Sequence, residues 1–301
     1  LTALGVIFGV AAVICMLSIG EGASAETLEQ IRLLGSHNII IRSIEPTRPS
    51  QVGQQEQSVK KYGITRIDAD RLGSLPGVAE IVRMRDVGTR IESGSRRFNG
   101  SVIGTTPNFF RVVNLEVNRG RPLMLIDDER REKVCVIGSI AARELFPNAD
   151  PIGQTLSVRS GGGGGVPYEV VGVLRDVLTA GKPEQGVASR DINRDVYIPL
   201  ASADLRYGDL KITRQGMSRE IKDVQLSDVY VHVARQEDVL EVSRMCGRVM
   251  EHGRKDPDYS VTVPLALLQE AERAKRTRQI VLGSIAGISL VVGGIGIMNI
   301  M

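Results

Sequence analysis

The runs LTALGVIFGVAAVICMLSIG at residues 1–20 and IVLGSIAGISLVVGGIGIMNIM at residues 280–301 decide how the rest of this 301-residue chain is read. Neither contains Asp, Glu, Lys or Arg, so every formal charge falls between Glu21 and Arg278. At about 1.5 Å per residue, each run as a helix reaches about 30 Å, the thickness of a bilayer's hydrocarbon core. A helix is the state expected there, because it satisfies its own backbone hydrogen bonds in lipid. A cleaved signal peptide competes for the first run, since Ala23-Ser24-Ala25 fits a small-x-small cleavage site. Against that stand the length of the run, the lack of a basic stretch before it, and a helical pattern continuing through Leu28, Ile31 and Leu34. For the second run the competing reading is a buried core helix. The chain starts without Met and its last residue lies inside an apolar run, so a fragment of a larger membrane protein is expected.

Small residues recur in both runs: Gly5 and Gly9 in the first, and Gly283, Gly287, Gly293 and Gly294 in the second. Where lipid supplies no hydrophobic drive, such faces let helix backbones approach closely. These six glycines are the candidate helix-packing positions.

Working inward, the first helix is predicted to run on to about Leu34, with Gly35 as its terminal cap. That makes a rod of about 50 Å, part of it standing out of the membrane. Asn38–Ile44 reads as a strand on its β-branched Ile39-Ile40-Ile41. A loop to about Gly63, a short helix after Thr65 ending before Pro76, and a strand from Val78 complete a β-α-β unit. From the other end, Pro264 suits the first position of a helix, and 265–278 contains no Gly or Pro before the second apolar run. Before it, Val229, Val231 and Val233 alternate as in a strand. Val239, Val242, Cys246 and Val249 recur at helical spacing, and Tyr259–Val263 closes a second β-α-β unit.

The centre, about 96–200, alternates short apolar runs such as Val134–Ile137 and Val170–Leu174 with turn signals, which predicts a compact β-rich unit with one or two short helices. Ser160–Gly165 reads as a glycine-rich hairpin tip. A phosphate loop fails there: Gly181-Lys182 has Asp176 in place of the first glycine and Pro183 after the lysine. Residues 211–222 read as a polar linker.

Composition excludes several function classes. A net charge of +3 and 4% aromatic residues argue against nucleic acid as a partner. Cys15, Cys135 and Cys246 give no disulfide framework, although a Cys135–Cys246 bond stays open. His37, His232 and His252 have no metal-ligand spacing. Neither Gly-x-Ser-x-Gly nor His-Glu-x-x-His occurs. The acid pairs Asp68/Asp70 and Asp127/Asp128 sit near predicted helix starts, where capping accounts for them.

The order of features resembles the periplasmic core, with its flanking transmembrane helices, of MacB/FtsX-like ABC-transporter permeases. The residues that carry the resemblance are Gly20-Glu21-Gly22, Val102-Ile103-Gly104, Pro107-Asn108-Phe109-Phe110, Gly120-Arg121, Leu145-Phe146-Pro147, Asp150-Pro151-Ile152-Gly153, Val170-Val171-Gly172-Val173, Ile198-Pro199-Leu200 and the run 289–301. The resemblance implies an α+β, two-lobed extracytoplasmic domain on two transmembrane helices. In it a discontinuous β-α-β Porter-like subdomain (35–95 and 223–263) carries an inserted β-rich Sabre-like subdomain (96–222). Residues 1–34 and 264–301 are then a stalk plus transmembrane helix each, the second truncated. It further implies a permease subunit of an ABC-type exporter or mechanotransmission complex, multi-pass in the bacterial inner membrane, with the large domain periplasmic. The implied partners are an ABC ATPase domain or subunit, a second permease copy, a periplasmic adaptor protein and membrane lipid. The chain itself would be no enzyme and hold no cofactor, with ATP on the partner domain.

Two places depart from better-known members: the glycine-rich hairpin and the long stretch 179–222. The basic residues Arg273, Lys275, Arg276 and Arg278 beside the second run would, by positive-inside logic, place that side in the cytoplasm, but large domains translocate largely regardless of charge. A ligand-sensing ectodomain of a membrane signalling receptor is the alternative function. Further hydrophobic spans beyond residue 301 would favour the permease, and a signalling helix with a kinase the receptor.

Overall fold

The computed structural model describes residues 35–46, 60–160, 164–177, 191–215, 218–252, 254, 258–269 and single positions up to 284. Gly35–Val263 forms a compact unit of its own. Both apolar runs, and with them the six packing glycines, lie outside the described residues except for helical positions 280, 281 and 284. Among the described residues no helix is long and apolar enough to cross a membrane.

The Ile39-Ile40-Ile41 run fixes the first strand, β1 (Asn38–Ser43), in which all three isoleucines are buried. Successive strand residues point to opposite faces, so a buried run of this kind needs cover on both. After a two-residue strand, β2 (Lys60–Lys61), comes helix α1 (Arg66–Gly73). The Thr65 hydroxyl accepts from Asp68 N–H and Asp68 reaches back to Thr65 N–H, a capping box. The long strand β3 (Val78–Ser93) follows, bulged between Asp86 and Arg90. Next are β4 (Arg96–Thr105), α2 (Phe109–Val112), β5 (Val117–Gly120), α3 (Leu125–Glu129), β6 (Val134–Ile137) and α4 (Ser139–Leu145). The chain continues through β7 (Thr155–Arg159), β8 (Val166–Leu174), β9 (Val196–Pro199), α5 (Leu200–Tyr207), β10 (Leu210–Gln215), β11 (Ser218–Asp223), β12 (Asp228–Val233), α6 (Val239–Glu251) and β13 (Tyr259–Thr262).

The main sheet has the order β13-β1-β12-β3-β4-β9-β6-β8-β5. β1 pairs antiparallel with β12 on one side and β13 on the other, so the first β-α-β unit is threaded between strands of the second. α1 and α6 pack against this half. The first half of β3 belongs to it through β12, and the second half pairs with β4 and β7. Because β7 also pairs with β8, the pairings run from β3 through β4, β9, β6, β8 and β7 back to β3. This closed ring encloses a core that includes Ile91, Phe98, Val102, Cys135, Leu156, Tyr168 and Ile198. Closure removes the exposed edges that short strands would otherwise present. The fold is mixed α/β.

Three expectations need correction. Residues 211–222 are no linker: β10 and β11 form an antiparallel hairpin, and β2 adds to it in parallel. Charge density suggested a loop, yet a hairpin needs backbone pairing more than apolar side chains. The buried stripe of α6 ends on Met250 and not Val249, with Val239, Val242 and Cys246 as expected. One further turn after Cys246 returns the core-facing direction to Met250. The centre also holds more helix than expected, since α2 to α5 all lie between β4 and β10.

Candidate functional site

The motifs that carry the family resemblance prove to be packing positions. Gly104 on β4 lies directly under α5, where a Cβ would sit 2.6 Å from the Cβ of Ala203. Gly120 has a φ of +77°, and a side chain there would collide with the Val171 carbonyl. Asn108 donates to Glu80 Oε2 and to the Ile81 carbonyl, each at 3.1 Å, fastening α2 to β3. The two phenylalanines beside it pack between the halves of the sheet. The Phe109 ring is 5.1 Å from Tyr197 on β9 and 6.0 Å from Tyr230 on β12. In Gly120-Arg121 the arginine makes a bidentate pair with Asp127 at 2.6 and 2.9 Å.

The candidate site is the joint where β3 passes from the open half of the sheet into the ring. Arg85, at its middle, has a side chain only 6% exposed and pairs with Asp204 at 2.8 Å and Asp209 at 3.3 Å. Arg66, opening α1, holds Asp209 with both terminal nitrogens at 2.8 and 3.0 Å and Asp204 at 3.1 Å. Two guanidiniums and two carboxylates thus tie together α1, β3 and the C-terminal end of α5. The hydrogen bonds from Arg66 hold the Asp209 carboxyl below its ordinary range. Beside this network a cleft of about 270 Å³ is lined by Ser43, Tyr62, Tyr207, Asp209 and Lys222. Across it Glu45 bonds Lys60 and Lys222, both at 2.7 Å, and these bonds, Lys222 foremost, lower the Glu45 pKa to about 2. In the network itself two cations face two anions, so its charges are balanced within α1, β3 and the end of α5.

A second node fixes β13, which leads to residue 264. Arg254 donates to Asp68 at 2.5 Å, to the Gly63 carbonyl at 3.0 Å and to Asp258, and it lies over the Tyr259 ring. Its signal in the sequence was weak, one arginine after a helix end.

The acid pairs divide their roles. Asp68 and Asp127 sit three residues into the helix caps, with Asp127 accepting from Met124 N–H at 2.8 Å. Burial works against the Asp127 charge, but the Arg121 and Met124 bonds outweigh it and lower the pKa. Asp70 pairs with Arg83 at 2.5 Å, and Asp128 caps a different helix, accepting from Ala201 N–H of α5 at 2.8 Å. Cys135 and Cys246 are both free and buried, which closes the disulfide option. The histidines are less separate in space than in sequence, since the rings of His37 and His232 stack at 5.8 Å. Among the described residues no three His, Cys, Asp or Glu side chains group as metal ligands.

Comparison with known proteins fits this geometry. The family model for the MacB-like periplasmic core domain matches residues 1–245. The chain belongs to that family. This MacB-like chain is 31% identical over 308 residues to the pyoverdine export ATP-binding/permease protein PvdT of Pseudomonas syringae pv. syringae. It is 31% identical over 301 residues to the macrolide export ATP-binding/permease protein MacB of Azoarcus sp.. Each alignment covers 100% of the chain and 41% of the relative, so the chain spans well under half the length of these proteins. Among solved structures, the periplasmic region of MacB from Actinobacillus actinomycetemcomitans superposes with a TM-score of 0.54 at 18% identity, over 80% of this chain and 95% of that one. The extracellular domain of the ABC-type transporter YknZ from Gram-positive bacteria gives 0.50 at 19%, over 75% and 99%. The MacB-like fold is therefore shared at low identity.

Proposed function

We propose that the chain is the permease part of an ABC-type exporter, in which ATP-driven motion is conveyed through two membrane-anchored stalks to the MacB-like head. ATP is hydrolysed on a nucleotide-binding domain outside residues 1–301, a reading supported by relatives that are ATP-binding/permease proteins. The open half of the sheet, with α1 and α6, is the Porter-like subdomain and the ring half the Sabre-like one. The permease works as a dimer in the bacterial inner membrane with this head in the periplasm, where an adaptor protein engages it.

One observation carries the coupling reading. β1 begins, and β13 ends, at the same end of the sheet, because the two strands pair antiparallel with Ile40 opposite Thr262. Both connections to the apolar runs leave from there, so a displacement of either would be delivered directly to neighbouring strands. The direct test is a flexible Gly-Ser segment inserted between Ala274 and Ile280 of the complete exporter. Coupling through a rigid stalk predicts that transport falls while ATPase activity persists. Transport at the full rate with unchanged ATPase activity would contradict it.

A further inference from the structure

His37 and His232 meet at the end of the sheet from which both connections depart. His37 lies two residues after Gly35, just before β1, and His232 sits on β12 opposite Asn38. Their rings stack with centroids 5.8 Å apart and planes 29° from parallel. The surrounding bonds fix how each ring is protonated. The Asn38 amide nitrogen donates to the Val112 carbonyl at 2.9 Å, so its oxygen is the group that accepts from His232 Nδ1 at 2.7 Å. His37 Nδ1 faces the Val233 carbonyl at 3.3 Å and must also carry its hydrogen. Nδ1–H is therefore the donor in each ring, and a further proton on His232 would go to Nε2.

We infer that this pair is a proton-sensitive joint: in mild acid the half-buried His232 imidazole takes up a proton, becomes a cation wedged between the His37 ring and Arg111, and loosens the segment that leads from residue 35 into β1. The inference deepens the coupling reading, since a loosened joint would transmit less motion, but it can be tested without transport. The titratable and charged groups acting on His232 are His37 before β1, Glu80 on β3 and Arg111 on α2. Glu80 is the one that would favour a cation, yet it is already held by Arg111 at 2.6 Å and by Asn108 at 3.1 Å. Burial, followed by His37, lowers the His232 pKa below its ordinary 6.5. A base with a depressed folded pKa binds fewer protons folded than unfolded. Its stabilising contribution is thus present above 6.5 and is lost as the pH falls from there through the lower folded value.

Two backbone bonds report the joint: Asn38 N–H to the Gly35 carbonyl at 3.1 Å and Val233 N–H to the His37 carbonyl at 2.9 Å. The experiment is hydrogen–deuterium exchange of the full chain in lipid nanodiscs at about pH 7.5 and about pH 5.5, with exchange times scaled for intrinsic chemistry. Segments holding Asn38 and Val233 are expected to lose about tenfold in protection at the lower pH, the most that one proton can contribute one unit below the ordinary 6.5. The Ser227 amide, bonded to the Met84 carbonyl at 2.9 Å, serves as the control and should not change. A double variant, His37→Gln with His232→Gln, keeps a donor at each position and should abolish the pH dependence. Equal protection at both pH values, or the same loss in the variant, overturns the inference. If the variant does not fold, histidine-selective carbon NMR of the wild-type chain decides. A His232 titration below 6.5 that coincides with deprotection supports the joint, and one at or above 6.5 defeats it.

Discussion

Removing the Arg254 guanidinium would leave two carboxylates, Asp68 and Asp258, whose side chains are only 12% and 17% exposed, facing each other's charge. Breaking a largely buried network by deleting one partner is more harmful than never having built it. Arg254→Ala is expected to lower stability by about 3 kcal/mol. Arg254→Lys should lie between it and wild type, because an ammonium cannot span both carboxylates. Urea unfolding of the full chain in detergent measures both, and an unchanged midpoint for the alanine variant would show the node to be idle. The cysteines give a second expectation at this scale. Burial raises the thiol of Cys135 far above its usual range and pushes that of Cys246 up to about 11. A water-soluble maleimide should therefore leave both unlabelled in the native protein and label both in denaturant. Rapid native labelling of either would contradict its placement. The sequence placed Asp68 and Asp127 in helix caps correctly, but it did not show that Asp70 pairs with Arg83 or that Asp128 caps α5, and it could not show that Arg254 reaches Asp68 from a segment 186 positions away. Ion pairs of that kind have no local signature.

At the scale of elements, close approach of α5 to β4 hangs on Gly104. A methyl group placed there, 2.6 Å from the Ala203 Cβ, forces the helix outward. Gly104→Ala is expected to cost about 1–3 kcal/mol by overpacking, and Ala203→Gly in the same chain should recover part of it. A double-mutant cycle on the unfolding midpoint measures the coupling. Strict additivity would mean that the two residues do not meet. The extent of legibility differs sharply between elements. Thr65 with Asp68 announced α1, and the isoleucine run announced β1, because a capping box and a β-branched run act over a few residues. The β10–β11 hairpin stayed hidden: Ile212 and Ile221, partners in the register, are each surrounded in the sequence by charged and polar residues that read as solvated chain.

For the whole molecule, the first strand of one β-α-β unit and the last strand of the other were legible at the two ends of the head's chain, whereas the ring was not. Its closure depends on β7 pairing with both β3 and β8, and residues 90–92 carry no sign of a partner more than sixty positions away. The aromatic contacts of Phe109 with Tyr197 and Tyr230 likewise join distant segments through one motif. In the proposed function this head stands outside the cytoplasm, held by the apolar runs at 1–20 and 280–301. Single-cysteine topology labelling tests it most directly, with Cys15, Cys135 and Cys246 replaced by alanine and Arg97→Cys, at a side chain 85% exposed, as the reporter. With the outer membrane permeabilised if present and the inner membrane intact, a membrane-impermeant maleimide is predicted to label the reporter at once. Labelling only after the inner membrane is broken would place the head in the cytoplasm and contradict the account.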